Sequence, residues 1–359
     1  MKATTRLSHT AKPESTAVRY LARQRRQRRL IALAALAVLI SLLVDVATGP
    51  GAYALPDVLK ALVAPSEVSR ILEIVVWEIR LPVALMAIIV GASLAVAGAE
   101  MQTLLDNPLA DPFTLGISSA ASFGAALAIV LDFGLLPVAG TLLLTGNAFL
   151  LAMFASLAIW ALSRLRGVSI QTMVLMGIAI MFFFNALLGI LQYVASAESL
   201  QQLMFWSLGS LDKASWGKLG LAGLALMITM PAFIRARSQL TALRLGDVQA
   251  KAMGIDVGRL RLRMLLCCAL LSATAVAFVG TIGFVGLVGP HIARLLVGED
   301  QRVFLPMSAL TGALILSLTS ILSKTLIPGI LLPIGLLTAL IGLPFFVSLI
   351  LRSRRETWR

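Results

Sequence analysis

The chain has 359 residues, of which 59% are hydrophobic and only 13% are charged. So apolar a composition excludes an ordinary soluble domain and indicates a polytopic membrane protein. The formal net charge of +13 would be compatible with nucleic-acid binding, so the positions of the basic residues along the chain decide its meaning.

The amino-terminal segment 1–29 carries nine Lys or Arg residues and is followed by the first apolar run. No small-residue cleavage pattern follows that run, so we expect a permanent first span and not a secretory signal. A helix needs about 20 apolar residues to cross a bilayer. By this criterion we expect ten spans, near residues 30–48, 81–103, 114–133, 139–162, 170–195, 219–234, 264–280, 283–297, 304–322 and 334–351.

The basic residues are distributed unequally between the two faces of this ten-span topology. With a cytoplasmic amino terminus, 24 of the 30 Lys and Arg residues fall inside and six outside. The six outer residues are Lys60, Arg70, Arg80, Lys213, Lys218 and Lys324. This asymmetry predicts that both termini are cytoplasmic. The positive charge is then explained by anionic lipid headgroups of the bilayer, and no nucleic-acid partner is expected.

Two outer segments, 55–64 and 197–216, alternate apolar and polar residues at helical spacing, and the second carries Trp206 and Trp216. We expect both segments to lie along the outer surface, as interfacial anchors or as a docking surface for a partner.

Small residues recur in the second span, at Gly91, Ala95 and Gly98, where they allow two helices to approach closely. The segment "GTIGFVGLVGPH" repeats glycine at every third position and ends at Pro290 and His291. It predicts a tight corner between two spans with close packing around Gly286 and Gly289, although packing alone would also explain it. His291 is either a hydrogen-bonded structural residue or a proton carrier.

Charged residues are scarce within the predicted spans. Asp45, Glu100 and Asp132 lie near span ends, and none lies at mid-depth. Ion-coupled carriers need such residues on their path, so the energy source is expected elsewhere. In the fifth span, Asn185 and Gln192 are two helical turns apart, and they could face one cavity or hydrogen-bond neighbouring helices.

Sequence signatures of catalysis are absent. The chain has no GxxxxGK[ST] loop, no HExxH motif and no nucleophile with a base at membrane depth. Cys267 and Cys268 are adjacent and lack metal-ligand spacing. We therefore expect no catalytic residue, metal site or cofactor.

The segment "LGDVQAKAMGID", residues 245–256, resembles a short helix of a soluble protein within an otherwise apolar chain. Asp247 suits a helix start, Ala250 and Met253 favour the helix, and Gly254 can end it. Such a helix between the sixth and seventh spans would be a handle through which another protein moves the membrane helices.

Several motifs, among them "NPLADP" with Asn107 and Pro108, "LGDVQAKAMGID", "VGPHIARLL" and "LPIGLLTALIGLPFFVSLIL", closely resemble FecCD-type permease subunits. These are the membrane subunits of ABC importers for iron-siderophore, haem and cobalamin. The likeness runs from about residue 30 to 352 and leaves out the basic tail. It implies an all-α permease domain over 30–352, with ten helices of the type II importer fold in two inverted five-helix repeats, between cytoplasmic tails 1–29 and 353–359.

The resemblance also implies partners. It predicts a homodimer in the bacterial inner membrane, two ATPase subunits below it and one periplasmic substrate-binding protein above it. Cytoplasmic coupling helices over 238–258 would rest in a groove of the ATPase. The residues expected to make this contact are Leu245, Gly246, Asp247, Ala250, Met253 and Gly254.

By position in the family, Arg80 and Lys324 would bind carboxylates of the binding protein. Val83 replaces the second basic residue of the family's RLPR pattern, and position 324 is Lys rather than Arg, so weaker or different docking is expected. An inner gate is implied around the connection of the fourth and fifth spans. Its expected residues are Gly167, Ser169 and Thr172, although short polar residues there are also ordinary at a helix start.

An iron(III)-siderophore is the expected cargo, with haem or cobalamin as the alternative within the family. An ion-coupled secondary transporter is the rival from another class. A carboxylate at mid-membrane depth on the path would favour that rival.

Overall fold

The computed structural model describes residues 16–49, 51, 53–137, 140–165 and 170–356. Within them the chain forms fourteen α-helices. These are α1 (Thr16–Ala47), α2 (Leu55–Val63), α3 (Arg70–Ile74), α4 (Leu81–Leu104), α5 (Ile117–Leu131), α6 (Thr141–Leu165), α7 (Ile170–Val194), α8 (Ala197–Ser207), α9 (Trp216–Leu243), α10 (Asp247–Ala252), α11 (Val257–Val279), α12 (Val285–Val297), α13 (Gln301–Thr325) and α14 (Ile334–Glu356). A π-helical segment, Val75–Arg80, joins α3 to α4.

Seven helical segments of the described chain are long and apolar enough to cross a membrane. They are Tyr20–Ala47, Arg70–Leu104, Leu142–Leu162, Thr172–Val194, Trp216–Leu243, Val257–Val279 and Gln301–Thr325. Three shorter apolar helices, Ile117–Leu131, Val285–Val297 and Ile334–Ser348, accompany them. Each predicted span overlaps one of these helices, so the all-helical class is confirmed. The count of ten crossings and the inverted repeat stay predictions.

Helix α4 lies at the centre of the bundle and packs against α1, α9, α11, α12 and α13. Its small residues make this possible. A Cβ atom added to Gly91 would collide with the backbone carbonyl of Gly312 in α13, and one added to Gly98 would collide with that of Gly286 in α12. Helices in lipid are not driven together by the hydrophobic effect, so close van der Waals packing of their backbones stabilises the contact instead.

A second layer consists of α5, α6 and α7. Helix α5 packs against α6 and α7, and α6 packs against α11, which joins this layer to the central one. Helix α14 lies at the periphery and contacts α12 and α13. Leu340 and Leu343 in the described part of this helix are 70% and 54% exposed.

The two segments predicted to lie along the outer surface contain the helices α2 and α8, but residues 208–215 of the second segment are not helical. Helix α2 buries Val58 and Ala61 against the bundle. The indole N–H of Trp77 donates to the carbonyl of Ala61 at 2.9 Å, and that of Trp216 donates to the carbonyl of Trp77 at 3.0 Å. The tryptophans thus join α2 to the start of α9.

Candidate functional site

Helix α10 is a short projection between α9 and α11. Gly246 precedes it with φ +104° and Gly254 follows it with φ +80°, which are conformations that favour glycine and allow the chain to turn twice. Ala250, on the inner side of α10, is fully buried. Leu245, Val248 and Met253 are 59%, 78% and 59% exposed, so the projection presents an apolar surface outward.

An ion pair fixes α10 to the rest of the bundle. The guanidinium of Arg261 on α11 donates to both carboxylate oxygens of Asp247, over 2.7 and 2.8 Å. The Nε–H of Arg261 also donates to the carbonyl of Leu104 at 3.2 Å. Since Leu104 is the last residue of α4, one buried side chain joins the projection to the end of the central helix.

A second set of linked polar contacts begins at Arg244, directly after the end of α9. Glu299, in the α12–α13 turn, forms ion pairs with Arg244 and, at 3.2 Å, with Arg294. Arg294 donates to the side-chain oxygen of Gln102 at 3.0 Å. Gln102 in turn donates to the carbonyl of Gly286 at 3.3 Å. From the sequence, Arg244, Arg261 and Arg294 are predicted only as inner basic residues. The carboxylates that pair with Arg244 and Arg261 are 55 and 14 positions away, and no helical spacing indicates the contact of Arg294 with Glu299.

A cavity of about 450 Å³ opens where three interhelical connections meet the first residues of α14. These connections follow α4, α8 and α11. Most of the wall is apolar or neutral, with hydroxyl groups from Thr114, Ser207 and Thr281. The remaining lining residues are Asp111, Phe113, Leu208, Gly283, Phe284, Leu287, Gly335, Leu336 and Ala339. No local pattern in the sequence predicts this cavity.

The connection from α4 to α5 is an ordered wall of the cavity. The side-chain oxygen of Asn107 accepts the backbone N–H of Leu109 at 3.0 Å, and Pro108 is exposed beside it. Asp111 accepts the backbone N–H of Thr114 at 2.8 Å. Burial raises the pKa of Asp111 to about 6, although its hydrogen bonds to Thr114 and the backbone of Phe113 act in the opposite direction.

The predicted path residues are partly described. Asn185 and Gln192 are exposed on one side of α7, and Thr172 is half-buried. Gly167 and Ser169 lie outside the described residues. These assignments stay predictions.

The predicted structural residues of α12 lie against its neighbours. Gly286 packs against α4, Gly289 packs against both α4 and α13, and Pro290 is buried within α12. The ring of His291 meets Phe345 edge-on, with centroids 5.8 Å apart.

The two residues predicted to dock a binding protein are held internally. Arg80 is 4% exposed and donates to backbone carbonyls that include Ala47 at 3.0 Å and Gly51 at 3.0 Å. The ammonium of Lys324 forms an ion pair with Asp45 at 2.6 Å, and the two side chains are 8% and 0% exposed. A partner carboxylate would have to open these contacts to reach either residue, so their docking role stays a prediction.

Glu100 is fully buried in α4. Neither carboxylate oxygen has a hydrogen-bond partner among the described residues. It lies four residues before Leu104, the last residue of α4, which is about 6 Å along the helix axis. Its placement near the inner end of the span stays a prediction.

Comparison with known proteins places the chain in one group. The model of the FecCD transport family matches residues 34–352. The haemin transport system permease of Yersinia pestis is 42% identical over 282 residues, which are 78% of this chain and 84% of that protein. The vitamin B12 import system permease of Vibrio vulnificus is 37% identical over 284 residues, 77% of this chain and 82% of that protein.

A solved structure supports the same grouping. It is described as an inward-facing conformation of a metal-chelate type ABC transporter and superposes with a TM-score of 0.79 at 28% identity. The alignment covers 90% of this chain and 99% of that one. The resemblance predicted from the motifs is therefore confirmed.

Proposed function

This chain belongs to the FecCD transport family, and from that premise we propose that it is the permease subunit of a binding-protein-dependent ABC importer for an iron(III)-siderophore in the bacterial inner membrane. The observation that carries the importer assignment is the apolar projection α10, tied through Arg261 to the end of α4. A permease that contains no nucleotide-binding loop needs such a contact with a separate ATPase subunit.

The proposed mechanism begins at the exposed side chains of α10. Leu245, Val248 and Met253 would enter a groove of the ATPase, since exposed apolar clusters mark sites of protein association. Movement of α10 would then pull Arg261, through the bidentate contact with Asp247, and with it the carbonyl of Leu104. The α4–α5 connection begins directly after Leu104, and its residues Asp111, Phe113 and Thr114 line the cavity. This movement would therefore reshape the cavity.

The proposed cargo path is that cavity. Its wall of hydroxyl and apolar groups suits a chelate whose metal is already enclosed by its own ligands. The metal-chelate transporter that superposes on this chain supports the same class of cargo. Haem and cobalamin are the alternatives, because the relatives from Yersinia pestis and Vibrio vulnificus are permeases for haemin and vitamin B12.

A homodimer is proposed because one copy supplies only part of the path. The polar side chains of Asn185 and Gln192 are exposed on α7, and facing lipid they would lack hydrogen-bond partners. A second copy would cover them. The ATPases and the binding protein would then dock at opposite ends, with both termini cytoplasmic.

The test is uptake by purified components. The permease would be reconstituted in proteoliposomes with its ATPase and binding protein, and supplied with an iron-55 siderophore, haemin or cyanocobalamin. We expect uptake of the siderophore that depends on ATP and on the binding protein. If only haemin or only cyanocobalamin were taken up, that compound would replace the siderophore as the proposed cargo. Uptake driven by an ion gradient without the ATPase would overturn the importer assignment.

A further inference from the structure

The amino-terminal part of α1 continues beyond its apolar part as a basic arm. This α1 arm, residues 16–29, is about 21 Å long at 1.5 Å per helical residue. The described arginine side chains of the arm, Arg23, Arg25, Arg26, Arg28 and Arg29, are all exposed. The arm lies outside the family match, which begins at residue 34.

The α1 arm is held against the turn between α12 and α13. The side-chain amide of Gln27 is 9% exposed and donates to the carbonyl of Val297 at 2.7 Å. The guanidinium of Arg23 lies over Gly298, where an added Cβ atom would come within 3.1 Å of its Nη2. The amide of Gln24 donates to the hydroxyl of Tyr20 at 2.8 Å. These contacts give the arm a defined position beside α13.

Between the α1 arm and the start of α13 is a cavity of about 290 Å³, close to the lower limit for small-molecule sites. Its walls come from one face of the arm and from the first residues of α13. The lining residues are Tyr20, Arg23, Gln24, Gln27, Arg28, Asp300, Arg302 and Val303. This cavity, the arginine cavity below, is separate from the proposed cargo path.

The electrostatics of the arginine cavity favour an anion. Arg23, Arg28 and Arg302 contribute three guanidinium groups, and none forms an ion pair with a carboxylate of the described residues. Asp300 contributes the one carboxylate, and its Oδ1 already accepts the backbone N–H of Arg302 at 3.0 Å in capping α13. The cavity therefore has an excess of two positive charges.

The position of the arginine cavity identifies the source of the anion. Arg28 lies two residues before Leu30, where the apolar part of α1 begins, and Arg302 directly precedes Val303 and Phe304 on α13. Both guanidinium groups are thus at the level where apolar helix gives way to polar helix, which is the level of lipid headgroups. A soluble anion would have no reason to prefer this level, whereas a lipid phosphate is confined to it.

We propose that the arginine cavity binds the phosphate of an anionic phospholipid in the cytoplasmic leaflet. Guanidinium groups match phosphate oxygens in bidentate geometry, and basic clusters next to a membrane helix attract anionic lipids. The inference relies on the cytoplasmic placement of the amino terminus. It gives a function to the basic segment that precedes the family match.

The experiment compares two variants that lose the same charge. The full chain would be placed in nanodiscs of phosphatidylcholine with phosphatidylglycerol, and the affinity for spin-labelled phosphatidylglycerol measured by electron paramagnetic resonance. One variant is Arg23→Gln/Arg28→Gln/Arg302→Gln. The control is Arg25→Gln/Arg26→Gln/Arg29→Gln, which removes three arginines from the opposite side of the arm. Thermal unfolding in phosphatidylcholine alone verifies that both variants are folded.

We expect the cavity variant to lose about fivefold in affinity for each arginine and the control to lose less than about twofold in total. Equal losses would overturn the site in favour of diffuse attraction. Displacement of the spin-labelled lipid by millimolar inorganic phosphate would also overturn it, since the site would then bind a soluble anion. A third variant, Arg23→Lys/Arg28→Lys/Arg302→Lys, keeps the charge without the bidentate geometry and should bind with intermediate affinity.

Discussion

Asp247 and Arg261 are fourteen positions apart and form a two-point ion pair, at 2.7 and 2.8 Å, that joins α10 to α11. Arg261 is 5% exposed and also donates to the carbonyl of Leu104. The pair is therefore a link with one partner on the projection and another at the end of the central helix. Removing the ion pair would disconnect α10 from the end of α4, which move together in the proposed mechanism.

Replacing Arg261 should uncouple the motor from the path. In Arg261→Met we expect ATP-dependent uptake to fall by about tenfold or more, while ATP hydrolysis by the assembled complex stays within about twofold. The reason is that α10 can still contact the ATPase but no longer reaches Leu104. Arg259→Met is the matched control, because Arg259 is exposed and its one ion pair with another described residue is to Asp256, three positions away. Equal effects of both substitutions would remove Arg261 from the coupling route.

Asp247→Asn tests the same link from the other side. It leaves the buried guanidinium of Arg261 without its carboxylate. Because the Asp247 side chain is 33% exposed, the cost is smaller than the value of about 3 to 5 kcal/mol for breaking a fully buried pair. We expect lower thermal stability together with lower uptake. The double variant Asp247→Leu/Arg261→Met should recover stability but not uptake. Recovered uptake in the double variant would show that the pair serves only the fold.

Gly98 in α4 and Gly189 in α7 should differ sharply in the effect of an alanine substitution on stability. An alanine at Gly98 would collide with the carbonyl of Gly286, and α4 and α12 would have to separate. We expect Gly98→Ala to cost about 1 to 3 kcal/mol, the usual range for overpacking. Gly189 has no atom within 4 Å of an added Cβ, so Gly189→Ala should be neutral or slightly stabilising. Thermal unfolding in detergent would measure both, and similar losses would contradict the packing shown here.

Much of this architecture follows from sequence because the signals are local. Apolar length predicts the helices, and the spacing of Gly91 and Gly98 predicts close approach, although not which helix approaches. The glycine at position 246 and the start of α10 at Asp247 are also local signals. The ion pairs of Arg261 and Glu299 are not, because their partners come together only through tertiary packing. The same holds for Arg80, whose buried position beneath the end of α1 was not expected from an outer basic residue.

Variants of the Asp45–Lys324 ion pair can distinguish a role in stability from a role in docking the binding protein. Both side chains are buried, so Asp45→Leu or Lys324→Met alone should destabilise the protein by about 3 to 5 kcal/mol. The double variant should be close to the parent protein in thermal stability. If Lys324 docks the binding protein, the double variant will fold normally but show a weaker stimulation of ATP hydrolysis by the binding protein. Undiminished stimulation would assign Lys324 to the fold alone.

Asp111 predicts a pH dependence of stability. Its pKa is raised from the usual 3.8 to about 6, so the folded state favours the protonated carboxyl. This stabilising contribution is complete at low pH and is lost as pH rises from about 4 through 6, with a total on the order of 3 kcal/mol. Asp111→Asn should therefore gain thermal stability relative to the parent protein as pH rises from 4.5 to 7.5. A difference that does not change with pH would contradict this.

Glu100 discriminates between the ABC importer and an ion-coupled carrier. A buried carboxyl without a hydrogen-bond partner among the described residues costs stability, so Glu100→Gln and Glu100→Met should raise the melting temperature. If the ATPase is the sole energy source, both variants should keep ATP-dependent uptake within about twofold, and a pH gradient should not alter the rate. An ion-coupled carrier would instead lose gradient-driven transport with either substitution, because a neutral side chain cannot exchange a proton. Loss of transport in a folded Glu100→Gln variant would therefore contradict the view that the membrane subunit contains no coupling residue.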